Sequence, residues 1–186
     1  MADKNLSWDD VSVGEESVTE EAIKKAESMG KTPVGKWLVE CVESTPRKID
    51  AEKYTAIAAN LKFKIEEVLE INHQKPTAEE AAPFEGRFIY DDVYMERDGE
   101  KDGMRNRRLL IASRMGLVKP GEKMTQKTWS KDVIGKKVIL ITELNKYKDK
   151  EGNNKENVKV GFSGYESIDG HTSASGSAKS DTFDDI

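Results

Sequence analysis

"VILITELNKYKDKEGNNKENVKVGF", residues 138–162, decides the fold. Val138–Thr142 offers apolar groups to both faces. That suits a strand with the interior on one side and a covering helix on the other. Glu151, Gly152, Asn153 and Asn154 form a turn signal. The return alternates Val158, Val160 and Phe162 against Asn157, Lys159 and Gly161, the period of a half-buried strand. The stretch therefore reads as a β-hairpin. Its tip is basic and aromatic, with Lys146, Tyr147, Lys148 and Lys150 close together and Lys155 and Lys159 on the return.

Toward the N-terminus the strand signals recur. Pro33 and Gly35 open a β-favouring run, Trp37–Val42. Thr45, Pro46, Arg47 and Lys48 then begin a long connection, with a short helix expected near Asp50–Ala58. Leu61, Phe63 and Ile65 alternate with Lys62, Lys64 and Glu66 in a second, half-exposed strand. A turn-rich acidic loop follows, and GRFIYDDVYM gives a third strand with Phe88, Tyr90 and Tyr94 on one face. MRNRRLLIASRMG reads as a helix ended by Gly116. Near the start, Ser17 and Glu20 fit a capping box before an apolar face of Ala22, Ile23, Ala26 and Met29, which predicts a helix over about residues 18–29. From Ser167 onward Gly and Ser repeat without apolar period, the composition of a tethered tail.

Five strands with a helix between the third and fourth is the layout of an OB-fold. The expected fold is mainly β: a five-stranded Greek-key barrel with an N-terminal helix. Such barrels bind oligonucleotides on the face of strands 2 and 3 and with the loops joining strands 1–2 and 4–5. The domain is expected over residues 31–166, between an acidic segment at 1–30 and an acidic tail at 167–186.

Charge is segregated along the chain. Residues 1–30 hold eight acids and three lysines, net −5, and residues 167–186 hold four acids and one lysine, net −3. Residues 104–150 hold 13 basic and four acidic side chains, net +9. A basic face between two acidic ends is a statement about partners. No apolar run approaches the ~20 residues that span a bilayer, and MADKNLSWDD carries no apolar leader. A cytoplasmic protein, off the membrane, is expected. The single cysteine, Cys41, cannot form an internal disulfide and sits among apolar neighbours as a core thiol.

TPVGKWLVECVESTP, NLKFKIEEVLEIN, EGRFIYDDVYM, RNRRLLIASRMGL, IGKKVILITELNKYKD and VKVGFSGYE together resemble phage-type single-stranded DNA-binding proteins of the OB-fold kind. The likeness covers roughly residues 30–166. It implies sequence-tolerant binding of single-stranded DNA in replication or recombination, with no cofactor. DTFDDI, residues 181–186, resembles the acidic, Phe-containing tips of bacterial single-stranded DNA-binding proteins, which dock on replication and repair proteins. On that likeness Asp181, Phe183, Asp184, Asp185 and Ile186 would recruit partners. The tip departs from the usual pattern, ending in Ile186 and lacking a proline; a merely solubilising end is the alternative.

A binder indifferent to sequence needs cations for phosphates and flat rings for bases, each stacked base contributing ~1–3 kcal/mol. Lys146, Tyr147, Lys148, Lys150, Lys155 and Lys159 supply both on the hairpin; the alternative is a solvated hairpin whose Tyr147 packs on a neighbouring loop. Lys62 and Lys64 occupy the polar face of strand 2, as phosphate contacts or as ordinary solvated charge. Tyr90 and Tyr94 are stacking candidates, because a tyrosine hydroxyl prefers a wet edge. Phe88, Trp37 and Trp129 are expected in the core. Arg105, Arg107 and Arg108 lie in the first turns of the predicted helix, where cations oppose the helix dipole. Phosphate would compensate them; so would pairing with Asp98, Glu100 or Asp102. Arg47 and Lys48 in the strand 1–2 connection complete the basic set. No residue pattern addresses the 2′-hydroxyl, so RNA stays open as a ligand.

Two other classes remain. A protein-interaction module would use the basic segment to dock an acidic partner, since an OB-fold does not fix its ligand. A two-metal nuclease would need the cluster Asp91, Asp92, Glu96, Asp98, Glu100 and Asp102. Asp91 and Asp92 point to opposite faces of a strand, a poor arrangement for a shared metal. Neither a Ser–His nor a Cys–His arrangement nor a GxxxxGK[ST] loop argues for an enzyme.

Overall fold

The computed structural model describes Glu20, residues 31–51 and residues 54–169. The expected helix over 18–29, apart from Glu20, and the tail residues Asp181, Phe183, Asp184, Asp185 and Ile186 lie outside the described residues. The chain divides after Lys31, and everything below concerns the second unit.

That unit is mainly β. Five antiparallel strands form one sheet: β1 (Gly35–Ala51), β2 (Tyr54–Ile71), β3 (Phe88–Tyr94), β4 (Lys137–Lys148) and β5 (Asn154–Glu166). A single turn, α1 (Ala78–Ala81), and the longer α2 (Asp102–Arg114) flank β3. A π-helical turn, Thr128–Asp132, precedes β4 and is tied to β1 by Ser44, whose hydroxyl donates to the Trp129 carbonyl at 2.6 Å. The spatial order is β3-β2-β1-β4-β5, which leaves β3 and β5 as the outer strands. Among the described residues, no helix is long and apolar enough to cross a membrane.

Alternation along each strand builds the core. Trp37, Val39 and Cys41 of β1, Leu61, Phe63 and Ile65 of β2, and Val138 and Leu140 of β4 all turn inward and are buried. Each large apolar side chain buried this way contributes roughly 1.5–3 kcal/mol. Ile111 and Ala112 of α2, with Met115 at its C-terminal cap, close one side of this cluster. Trp37 and Trp129 are buried as expected, and the Trp37 indole donates to the Thr142 hydroxyl at 2.9 Å. Cys41 is fully buried, and burial pushes its thiol up to about 12, so it is an inert core group.

The expected long connection after strand 1, with a short helix near Asp50–Ala58, is not what forms. β1 continues to Ala51 and β2 starts at Tyr54, so these residues make a paired β-arm, with Pro46 opposite Ala59 and Asp50 opposite Thr55. The reason lies in the neighbours. β4 pairs with β1 only from Gly35 to Glu40, so beyond that point β1 is an edge, where proline is tolerated. Tyr54, Thr55 and Ile57 supply β-favouring side chains that outweigh the alanines. The loop after β2 also holds one ordered turn. Thr77 and Glu80 form a capping box, legible in the sequence as T-x-x-E.

The hairpin of β4 and β5 forms as its sequence predicts, with a correction at Phe162. Leu140 pairs with Tyr165 and Thr142 with Val160, so Gly161, Phe162, Ser163 and Gly164 together oppose Ile141 alone. This bulge turns Phe162 outward, 53% exposed, instead of inward with Val160. Gly164 permits it. A Cβ there would press on the Ile141 carbonyl and come within 2.9 Å of the Gly161 nitrogen.

Candidate nucleic-acid interface

β3 sorts its side chains by parity. Ile89, Asp91 and Val93 face inward, while Phe88, Tyr90, Asp92 and Tyr94 face outward. Register extends that outer face across three strands. Phe88 lies beside Lys64 and Glu40; Tyr90 beside Lys62 and Glu43; Asp92 beside Asn60 and Thr45; Tyr94 beside Ala58 and Arg47. Tyr90 is 55% exposed and Phe88 44%, so the expectation of Phe88 in the core is corrected. Phe88 falls on the same parity as Tyr90, and no element covers that parity at this end of the strand. The Lys62 ammonium sits 4.4 Å above the Phe88 ring and 3.4 Å from a Glu43 carboxylate oxygen. Tyr94 is half-buried. Burial, and then its hydrogen bond to Tyr54, raises its hydroxyl above the usual tyrosine range.

The acids on this face matter. Arg47 pairs with Asp92 at 3.1 Å on this face, while Lys48, on the opposite parity of the arm, pairs with Asp50 at 3.2 Å. Glu40, Glu43 and Asp92 roughly balance Lys62, Lys64 and Arg47. Exposed pairs of this kind contribute only about 0–1 kcal/mol, so a phosphate can displace them. The distinctive property of the face is its rings, not net charge.

Arg107 and Arg108 belong elsewhere. Arg107 reaches across the end of α2 to Asp91 at 2.6 Å and donates to the carbonyls of Phe162 and Asp92 at 3.1 and 3.2 Å. Tyr165 of β5 donates its hydroxyl to the same Asp91 oxygen at 2.6 Å. One carboxylate thus joins β3, α2 and β5, and both outer strands meet on it. Burial raises Asp91 above the usual carboxylate range, against the pull of Arg107 and Tyr165. Burial and the Asp91 charge push Tyr165 well above the tyrosine range. Arg108 forks onto Glu100 at 2.7 and 3.1 Å and donates to the Tyr94 carbonyl at 2.8 Å. Arg108 holds Glu100 below the usual carboxylate range. Both guanidiniums are buried, with their donors committed. They leave the phosphate-binding set, because separating such buried pairs costs about 3–5 kcal/mol. Arg105, on the same helix, is exposed and only 3.6 Å from Glu100, so it stays available. Of the acids weighed as helix partners, Glu100 is used; Asp91 serves the other arginine.

The basic hairpin is a second locus. Alternation divides its cations. Tyr147 pairs with Lys155, and Glu143 with Lys159, on one face; Lys146 and Lys148 pair with Glu156 and Asn154 on the other. Tyr147 is 46% exposed and does not pack into the core. The turn hangs on Asp149, which accepts from the Glu151 and Asn153 amides, each at 2.9 Å. Those bonds, that of Asn153 first, hold its carboxyl below the usual range. Lys155 stands 4.0 Å from it. Among the described residues Lys146, Lys148, Lys150 and Lys159 form no close ion pair, although Glu156 stands opposite Lys146 and Glu143 opposite Lys159.

Register also sets the two loci apart. Gly35 pairs with Thr142, so Tyr147 lies five residues beyond the start of β1, while Arg47 lies twelve residues along it. That is roughly 50 Å of strand path. The register thus places these cations and rings at two stations, toward opposite ends of the strands.

Three side chains missed in the sequence belong here. Phe162 had a signal, the G-F-S-G spacing of a bulge. Tyr54 and Arg97, stacked with 4.4 Å from guanidinium to ring, had none, because they meet only through the fold. Among the described residues no three of His, Cys, Asp and Glu converge as a metal site requires. Asp91 and Asp92 do take opposite faces. The chain matches no protein-family model, and no curated protein is significantly similar to it.

Proposed function

We propose that the protein binds single-stranded DNA with little sequence preference, on the outer face of β1–β3 and along the β4–β5 hairpin. In this reading the sheet curls into an OB-type barrel with β3 beside β5. The strand order and the Asp91 contact between β3 and β5 support that. The protein sheathes exposed strands in phage replication or recombination and performs no catalytic step. Its acidic tail recruits the proteins that act next.

One observation carries the reading. Phe88 and Tyr90 present exposed rings on alternate residues of an outer strand, with Lys64 and Lys62 beside them. Rings for bases with cations for phosphates is the pairing that sequence-tolerant strand binding uses. A protein-interaction module is the second reading, favoured by Glu40, Glu43 and Asp92 on the same face.

The test is anisotropy of labelled oligo(dT), duplex and RNA at two salt concentrations. Emission from Trp37 and Trp129 is a poor reporter, since both are buried. Tight oligo(dT) binding that weakens steeply with salt is expected. Indifference to every nucleic acid would leave the interaction module.

A further inference from the structure

The outer face of β3 ends at Tyr94, and beside it the surface sinks into a recess of about 350 Å3. Tyr54, Tyr94, Met95, Arg97, Lys101 and Met104 line it, with Glu100 at its floor. The volume falls in the range of small-ligand sites and has room for one nucleoside. Its polar groups are largely spoken for. Arg108 forks onto Glu100. The Tyr94 hydroxyl is raised above its usual range by burial and then by the neighbouring Tyr54. Arg97 lies flat over Tyr54, 4.4 Å from its centroid, and so extends an aromatic wall with a cationic one. What remains open to an occupant is ring surface, two thioethers and the positive charge of Arg97 and Lys101. The donors left open, on Arg97 and Lys101, are cationic and suit a phosphate more than a particular base edge.

These features fit a flat, uncharged ring attached to an anion. We infer that the recess captures one unstacked nucleobase, of any identity, from a strand lying on the β1–β3 face. The base stacks against Tyr54 and Tyr94, and its phosphate faces Arg97 and Lys101. This rests on the single-strand reading above and adds a subsite to it. The recess continues the row of Tyr90 and Tyr94. The strand would turn inward there instead of running off the edge of the sheet.

The experiment uses the full chain and oligo(dT). First, oligo(dT) carrying 5-iododeoxyuridine is photocrosslinked to the unaltered protein and the modified peptides are identified. Adducts on Tyr54, Tyr94 or Met104 are expected. Second, affinity is compared among the unaltered protein, Tyr54→Ala, Met104→Trp and Tyr90→Ala, each checked by thermal melting. Loss of one stacked base weakens binding about 5- to 150-fold. Tyr54→Ala is expected in that range, and Met104→Trp, which fills the recess without touching the sheet face, should weaken binding as well. If both bind like the unaltered protein, adducts fall only on Phe88 or Tyr90, and Tyr90→Ala alone weakens binding, the recess proposal is overturned while the sheet reading stands. If the unaltered protein binds no oligo(dT), both readings fall together.

Discussion

The arginines of α2 and the lysines of the β4–β5 hairpin lie in one basic segment, yet the fold uses them in opposite ways. Arg107 and Arg108 are buried, and each carries its own carboxylate, Asp91 or Glu100. Lys146, Lys148, Lys150 and Lys159 stand exposed on the hairpin and form no close ion pair among the described residues, with only Glu156 and Glu143 opposite two of them. The first pair holds elements together; the second set is available to a ligand. The difference is one of desolvation. A buried guanidinium cannot leave its partner without stranding a charge at a cost of several kcal/mol, whereas an exposed ammonium changes partners at almost none. Counting charge along a chain cannot separate the two, and the net +9 of residues 104–150 overstates what a phosphate meets.

The contrast breaks most sharply at Asp91. Removing either partner, as in Asp91→Ala or Arg107→Ala, should cost about 3–5 kcal/mol. That corresponds to a fall in melting temperature of roughly 10 °C. Arg105→Ala, on the same helix but exposed, should stay within about 0.5 kcal/mol. Urea unfolding of the three variants measures this. Equal stability for all three would mean that Arg107 is as free as Arg105 and would return it to the candidate interface.

Much of this was legible before the coordinates. The alternation of Leu61, Phe63 and Ile65, the turn after Lys150, the Gly116 stop and the opposed sides of Asp91 and Asp92 all follow from short-range periodicity, and they appear in the fold. The misses share a different cause. Phe88 is exposed against expectation because periodicity fixes which residues share a face but not which face is covered, and Phe162 leaves the face of Val158 and Val160 because a bulge breaks the period. Pro46 was read as a loop signal because the sequence does not show that β4 stops pairing at Glu40. Arg107 could not be assigned to Asp91, 16 positions away, because that pairing exists only once α2 lies across β3. The candidate site was legible as a set of residue types. Its division into two separated stations was not, because register, and not composition, places Tyr147 and Arg47 at opposite ends.

Tyr90→Ala should weaken oligo(dT) binding by about 1–3 kcal/mol while leaving the melting temperature almost unchanged, since the ring covers little of the core. On the hairpin the expectation divides by face. If the strand lies on the Tyr147 side, Lys155→Ala and Lys159→Ala should each reduce the slope of log affinity against log salt by about 0.7. Lys146→Ala and Lys148→Ala, on the other side, should leave it nearly unchanged. A uniform loss for all four would show that the hairpin acts as a diffuse charge without a defined contact face.

The smallest effect is a matter of pH and again sets the two buried carboxylates apart. Glu100 is held below its ordinary value in the folded chain, chiefly by its hydrogen bond to Arg108. Its stabilising contribution is therefore present above the unfolded value near 4.5 and is lost as pH falls through the lower folded value. Asp91 runs the other way. Burial raises it above 3.8, so folding favours its protonated form, and its contribution is present in acid and lost as pH rises through the folded value. The two partly cancel between neutral pH and pH ~3. Melting temperature followed over that range should fall less steeply toward acid in Glu100→Gln than in the unaltered protein, and more steeply in Asp91→Asn. The slopes, not the absolute temperatures, carry the test, because both variants also leave a buried arginine without its charge partner. Parallel slopes in all three proteins would mean that neither carboxylate changes its proton affinity on folding.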